Sequence, residues 1–266
     1  MEKSKVVIEK CENYKYDEVR KSIDKIFSEF EDLSQIIKRG DKVLIKPNLL
    51  SAHPPEEAVT THPIIVDIIL EKIVKEGGIP FIGDSPSIGN LMVVAQKAGI
   101  KKVADKFGIP IKEFIRAVEV DNKEGEFKKL EIAKEAIEVD KIINLAKLKT
   151  HTQMVLTLGV KNMFGVVPGK RKTEWHLRAG TNNNFFASVL LDVYRATKPV
   201  FTIVDGIVGM DGDGPANGNA RKIGLLFGGE DAVSIDKVVS HFIGLKDEEL
   251  FILEAAKKIN YGCIFR

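Results

Sequence analysis

Apolar residues recur along this chain at two periods, and the segments keep switching between them. Lys5–Glu9, Lys42–Ile45 and Pro80–Gly83 are short apolar runs of strand character. Between the first two, Val19, Ile23, Ile26, Phe27, Phe30, Leu33, Ile36 and Ile37 fall at helical spacing, which predicts one long helix over Asp17–Lys38 stopped by Gly40. Pro63–Glu76 is predicted as a second helix, with Thr61 or His62 near its N-cap and Gly77-Gly78 at its end. Further helices are expected at Asn90–Ala98, Lys101–Phe107, Phe185–Thr197, Val233–Phe242 and Glu248–Lys258. Further strands are expected at Phe127–Ile132, Lys141–Leu145, Val200–Val204 and Lys222–Phe227. From about 147 to 184 the periodicity dissolves into lysine, glycine and asparagine, and an irregular insertion is expected there.

Strand, helix, strand in repeated order argues for an α/β fold: a mostly parallel sheet with helices on both faces and glycine-rich loops at the strand C-terminal ends. No repeat and no Ser/Gly linker divides the chain, so residues 1–266 read as one domain. Ligands of such sheets lie beyond the carboxyl ends of the strands. The unusual polar clusters sit directly after predicted strands: Lys46-Pro47-Asn48, Gly83-Asp84-Ser85-Pro86, Lys147-Leu148-Lys149-Thr150-His151 and Asp205-Gly206. If the strands are parallel, four loops converge on one edge.

Composition narrows the class. At 266 residues with 44% hydrophobic and 29% charged, the chain is neither collagen-like, disordered nor a disulfide scaffold. No apolar run approaches the roughly 18–20 residues of a membrane span. The start lacks an h-region and a cleavage site, so a cytoplasmic protein without a membrane partner is expected. Cys11 and Cys263, at opposite ends, are too few for an iron–sulfur cluster, which wants four thiolates. A disulfide between them is not expected in a reducing compartment. Charge is unevenly placed. Between Lys147 and Arg178 seven bases face the single acid Glu174, a net +6 that leaves the rest of the chain at −4 beneath a total of +2. Such clustering suits a localised anion site or a plain basic surface. Nucleic acid is the less favoured partner, because stacking aromatics are sparse in the segment.

Lys147, Lys149 and His151 fall at i, i+2 and i+4, one face of an extended strand, where they suit a phosphate, a carboxylate or a developing oxyanion. Lysines guarding an exposed sheet edge are the plainer reading. Gly165-Val166-Val167-Pro168-Gly169-Lys170 is not a Walker loop, since three residues separate the glycines and Arg171 follows the lysine. Turns around Pro168, or an amide nest for an anion, remain. The run Gly209–Gly218 has Asn217 where a dinucleotide fingerprint wants glycine and Pro215 where an EF-hand wants a carboxylate or amide. It reads as a divalent-cation loop with the carboxylates Asp205, Asp211 and Asp213, as a hinged lid, or as a solvent-exposed turn. Asp84 is a candidate base or metal ligand, although Ser85 and Ser87 can equally cap the next helix. Ser85 lacks the surroundings of a nucleophile elbow.

The strings Val43-Leu44-Ile45-Lys46-Pro47-Asn48-Leu49, Thr60-Thr61-His62-Pro63, Ile82-Gly83-Asp84-Ser85-Pro86-Ser87, Lys147 through His151, Gly159-Val160-Lys161-Asn162-Met163-Phe164-Gly165 and Asp205-Gly206-Ile207 through Gly214-Pro215 occur in order over most of the chain. Together they resemble the DUF362 family. That resemblance implies a name more than a mechanism. Many members look like fusions with a ferredoxin-type [4Fe-4S] module, which implies redox metabolism, but this chain lacks the C-x₂-C-x₂-C run. The helix, Gly-Gly, strand and Gly-Asp arrangement over Gly77–Asp84 is also distantly similar to lactate-racemase-like proteins, an analogy of fold alone.

The leading expectation is an enzyme, or a former enzyme, acting on a small anionic metabolite. Lys46, Asn48, Lys147, Lys149, Lys161, Asn162 and Lys170 are its candidate substrate-binding residues, and His151, His62 and Asp84 its candidate catalytic ones. Asp205, Asp84 and Asp211 are candidate ligands for a divalent metal, the one cofactor considered. The alternative is a non-catalytic partner that docks an acidic ferredoxin-like protein on the basic segment.

Overall fold

A computed structural model describes residues 4–30 and 33–262; Cys263, and Glu31 and Asp32 of the expected first helix, lie outside the described residues. The strands, in chain order, are β1 (Val7–Lys10), β2 (Lys42–Pro47), β3 (Ile79–Asp84), β4 (Ile111–Glu113), β5 (Ala117–Asp121), β6 (Lys129–Ala133), β7 (Lys141–His151), β8 (Val155–Thr157), β9 (Phe201–Asp211) and β10 (Asn219–Gly229). The main sheet runs β1-β10-β9-β7-β2-β3-β4, with β8 paired to β7. Its centre, β9-β7-β2-β3-β4, is parallel, while β10, β1 and β8 join antiparallel. β5 and β6 form a separate antiparallel pair.

Both faces of the sheet are covered, which is why the central strands read as unbroken apolar runs rather than as alternation. Along β2, Val43 and Ile45 enter one core with the helices Tyr16–Ser28, Pro63–Lys75, Leu91–Lys97 and Ile100–Phe107. Leu44 enters the other, with Asn183–Thr197, Ala232–Phe242 and Phe251–Lys258. No helix among the described residues is long and apolar enough to cross a membrane.

The structure adds β4 and β5, which the pattern did not predict, carries β9 seven residues past Val204, and departs further in three places that bear on the site. The first helix ends at Ser28. Phe30 then packs edge-on against Phe201 at 5.1 Å, and Leu33–Ile36 forms a separate short helix. Strand β7 runs to His151, six residues beyond its expected end. Its apolar signal stops at Leu145 because the buried residues that follow include Lys147 and Lys149. The segment expected to be irregular is ordered: it holds β8, the short helix Gly159–Asn162, a 3₁₀ turn over Met163–Val166 and the helix Lys170–Ala179. That last helix escaped the hydrophobic pattern because its inward face is itself polar, with Lys172 buried on it.

Candidate functional site

A cavity of about 320 Å³ opens at the carboxyl ends of β2, β3 and β7. Lys46 and Asn48 come to it from β2, Asp84 and Ser85 from β3, and Lys149 and His151 from β7. The far wall is the formerly unreadable segment, which supplies Thr157, Lys161, Lys172 and His176. Pro215, Ala216 and Asn217, from the tip of the β9–β10 hairpin, line it as well.

The floor is a braced ion pair. Lys46 Nζ lies 2.9 Å from Asp84 Oδ2 and donates to the Pro47 carbonyl at 2.7 Å. Asp84 also accepts from the backbone N–H groups of Leu49 (3.0 Å) and Ser85 (2.7 Å). A buried charge removed from water needs this density of partners. Gly165 closes over the pair, and its N–Cα edge is so near that a β-carbon there would stand 2.6 Å from Lys46 Nζ. Asn162 is a strut beneath the wall. Its amide donates to Lys46 O (3.1 Å) and Asn144 Oδ1 (2.7 Å) and accepts from Asn48 Nδ2 (2.9 Å). The short helix carrying Lys161 and Asn162 is fixed from behind by buried Asp236, which accepts from Gly159 N (2.8 Å) and Val160 N (3.1 Å).

Four lysines therefore share one cavity with one carboxylate. Burial lowers the pKa of each, neighbouring cations add to it at Lys149, Lys161 and Lys172, and Asp84 opposes it at Lys46. Lys149, donating to the Val59 carbonyl at 2.6 Å, is held well below the ordinary lysine range by burial and then by Lys161 and Lys147. Lys172, bonded to the Ser85 carbonyl, and Lys161 are each brought down to about 8. Lys161 stands apart: its ammonium makes no hydrogen bond or ion pair with any described residue.

Two imidazoles face these amines. Gln153 N (3.1 Å) and Met154 N (3.2 Å) both donate to His151 Nδ1, which leaves the proton of the neutral ring on Nε2. Burial, then Lys161 and Lys149, push its pKa down to about 2. His176 is the complement. Its Nδ1 lies 3.1 Å from Gln153 Oε1, which accepts but cannot donate, so the lone pair is on Nε2. Burial, then Lys161 and Lys172, bring it to about 4. The turn between His151 and Thr157 is strained: Val155, β-branched, sits at φ +66°, and Leu156 N donates to Met154 O across it at 2.7 Å. Such a residue costs on the order of 1–3 kcal/mol. Two polar atoms of the cavity wall, Asn48 Oδ1 and Thr157 Oγ1, are buried without a partner among the described residues.

Of the candidates read from the sequence, Lys46, Asn48, Asp84, Lys149, His151, Lys161 and Asn162 line this cavity. His62, Lys147 and Asp205 do not; buried Lys147 and Asp205 and half-buried His62 form a cluster of their own. Lys147 Nζ pairs with Asp205 Oδ2 at 2.8 Å and donates to Tyr14 Oη at 3.0 Å, and Tyr14 Oη donates to Asp205 Oδ1 at 2.7 Å. The Tyr14 ring stacks on His62 at 3.6 Å. His62 Nδ1 accepts from Ile64 N, capping its helix, and burial brings its pKa down to about 4. The expected shared face of Lys147, Lys149 and His151 is split: Lys149 and His151 line the cavity, while Lys147 is held by Asp205 just before the register of β7 with β9 shifts, with the extra residues on β9. Lys170 is exposed outside the cavity. Asp211 is exposed and paired with Arg221. The expected metal set Asp84, Asp205 and Asp211 is thus not brought together, and no group of three His, Cys, Asp or Glu that could hold a metal ion occurs among the described residues. Sequence reasoning missed Lys172 and His176. They lie four residues apart, one helical face, in a segment read as having no helix.

A family model described as "Domain of unknown function (DUF362)" matches residues 43–241. A thylakoid-associated protein of Synechocystis sp. is 34% identical over 250 residues, covering 94% of this chain and 78% of that protein. Among solved structures, the lactate racemase apoprotein from Thermoanaerobacterium thermosaccharolyticum superposes with a TM-score of 0.57 at 13% identity, over 86% of this chain and 55% of that one. A Thermotoga maritima protein matches at a TM-score of 0.46 and 10% identity, over 76% of this chain and 52% of its own, too weakly to carry an argument. The chain spans about half the length of both solved structures, and the likeness to the first is one of fold.

Proposed function

The chain belongs to the DUF362 family, and we propose that it binds a small, multiply charged anion in the cavity at the strand ends and shifts a proton on it between His151 and His176. The observation that carries this reading is the gathering of Lys46, Lys149, Lys161 and Lys172 around a single carboxylate, Asp84. Unfilled, the arrangement crowds cations in a low-dielectric site. An anion relieves it, and each charge-assisted hydrogen bond so formed contributes about 1.5–3 kcal/mol. Asn48 Oδ1 and Thr157 Oγ1 are left to orient the guest. A proton donor at His151 Nε2 and an acceptor at His176 Nε2 make the pair suited to general acid–base work, with neither ring needing to ionise first. The lactate racemase apoprotein, similar in fold, is named for a small carboxylate, an anion of the size that suits such a cavity.

The docking alternative loses its main support. Of the seven bases between Lys147 and Arg178, Lys147, Lys149 and Lys172 are buried and Lys161 turns into the cavity. Arg171 pairs with Glu131, so only Lys170 and Arg178 present unpaired charge outward. A segment that reads as a basic surface is largely a basic interior.

Thermal denaturation in malonate, with sodium chloride of equal ionic strength and glycerol as controls, tests the reading. Malonate raises the melting temperature in a saturable way, and Lys161→Met weakens its apparent affinity by about 10- to 100-fold, the loss of one charge-assisted hydrogen bond. A shift reproduced by chloride alone overturns it.

A further inference from the structure

We propose that Lys161 is a nucleophilic amine, which forms an imine with the carbonyl carbon of a small 2-oxo carboxylate held in the cavity. The proposal rests on the anion-binding reading above and deepens it by naming the substrate class. It comes from a difference among the four lysines. Lys46 is tied to Asp84 and Pro47, Lys149 to Val59 and Lys172 to Ser85. Only Lys161 is uncommitted, half-buried at the cavity wall on a short helix that Asp236 and Asn162 hold fixed. An amine that must attack needs its lone pair free, a fixed position, and a site where the ammonium form is disfavoured. Lys161 meets all three. No carboxylate pairs with it, and burial, then its cationic neighbour Lys172, brings it to about 8, which favours the free amine over an ordinary lysine's.

The remaining cavity groups complete the step. The carboxylate of the oxo acid is met by the Nζ donors of Lys149 and Lys172. The Lys161 Nζ lone pair forms a bond to the carbonyl carbon while the C=O π pair moves to oxygen, which takes the proton of His151 Nε2. His176 Nε2 accepts the proton lost by the amine. His176 returns that proton to the resulting hydroxyl, which departs as water while the nitrogen lone pair forms the C=N⁺ bond, and His151 Nε2 regains its proton from solvent water. One water leaves for each imine formed, with no oxidation or reduction. The imine carbon is then electron-poor, and proton transfer at the neighbouring carbon falls to the same two imidazoles.

Borohydride trapping tests this. The full-length protein is incubated with pyruvate, reduced, and examined by intact mass and by peptide mapping. One reduced pyruvyl group is expected per chain, on Lys161, and Lys161→Arg and Lys161→Met lose it while keeping the wild-type melting temperature. Excess malonate suppresses the labelling. No adduct, or adducts spread over exposed lysines such as Lys170, overturns the proposal. Malonate binding separates the two failures: if malonate still stabilises the protein without trapping, the imine falls and the anion site stands. If malonate gives no stabilisation, both fall.

Discussion

At the scale of single residues, the charges of the cavity set a pH dependence with a definite sign. Lys161 and Lys172 sit at about 8 rather than at the ordinary 10.5, because burial disfavours the ammonium form of both, helped by Lys172 at Lys161 and by Lys46 at Lys172, where Asp84 opposes it. A bound dianion favours that form and raises both values. Complex formation therefore takes up protons above pH 7, and affinity falls as pH climbs from about 8 toward 10.5. Titration calorimetry with malonate at pH 8.5, in buffers of different ionisation enthalpy, should register this uptake; proton release instead would show that these amines do not meet the anion. His151 and His176, at about 2 and about 4, stay uncharged throughout and add nothing to the slope. Much of this chemistry was legible in the sequence, since Lys46, Asp84, Lys149, His151 and Lys161 each follow a strand or lie in a motif. What was not legible is which charges cancel. Asp205 neutralises Lys147 across paired strands, and Asp211 neutralises Arg221 across a hairpin, contacts that only the register reveals.

At the scale of elements, the site depends on how closely the 3₁₀ turn over Met163–Val166 approaches the ends of β2 and β3. Ser85 N donates to Gly165 O at 3.2 Å, and the space above Lys46 and Asp84 admits no side chain at Gly165. Gly165→Ala should destabilise the protein by about 1–3 kcal/mol, an overpacking cost, and weaken malonate binding at the same time. Urea denaturation and the malonate titration check it; an unchanged stability would mean that the turn moves freely away from the ion pair. The expectation of an irregular segment over 147–184 failed for a reason that generalises within this fold. Periodicity reports burial through apolar residues, and the helix Lys170–Ala179 buries a lysine while lining the cavity with a histidine. The order of the central strands and their helices, and the parallel centre of the sheet, followed from the pattern because those elements bury aliphatic side chains, whereas β4 and β5, which bury no residue fully, gave no such signal.

At the scale of the whole molecule, the sheet brings polar residues from distant parts of the chain to one rim, while two separate apolar cores hold its faces. Ordered this way, the cationic interior is a cost that the rest of the structure offsets. The Tyr14 hydroxyl adds a further tie. It reaches from ahead of the first helix to the centre of the sheet, touching Lys147, Asp205 and the backbone of Val208. Tyr14, β1 and the helix Tyr16–Ser28 all precede residue 43, where the family match begins. A fragment cut at residues 43–241 would leave a buried lysine–carboxylate couple short of its phenol, bare the long flank of β10 to other chains, and strip one apolar face of its cover. It should aggregate or bind hydrophobic dyes where the full chain does not, as light scattering and dye fluorescence would show. The stretch that the family model matches is therefore narrower than the stretch that must be kept for the polypeptide to stand alone.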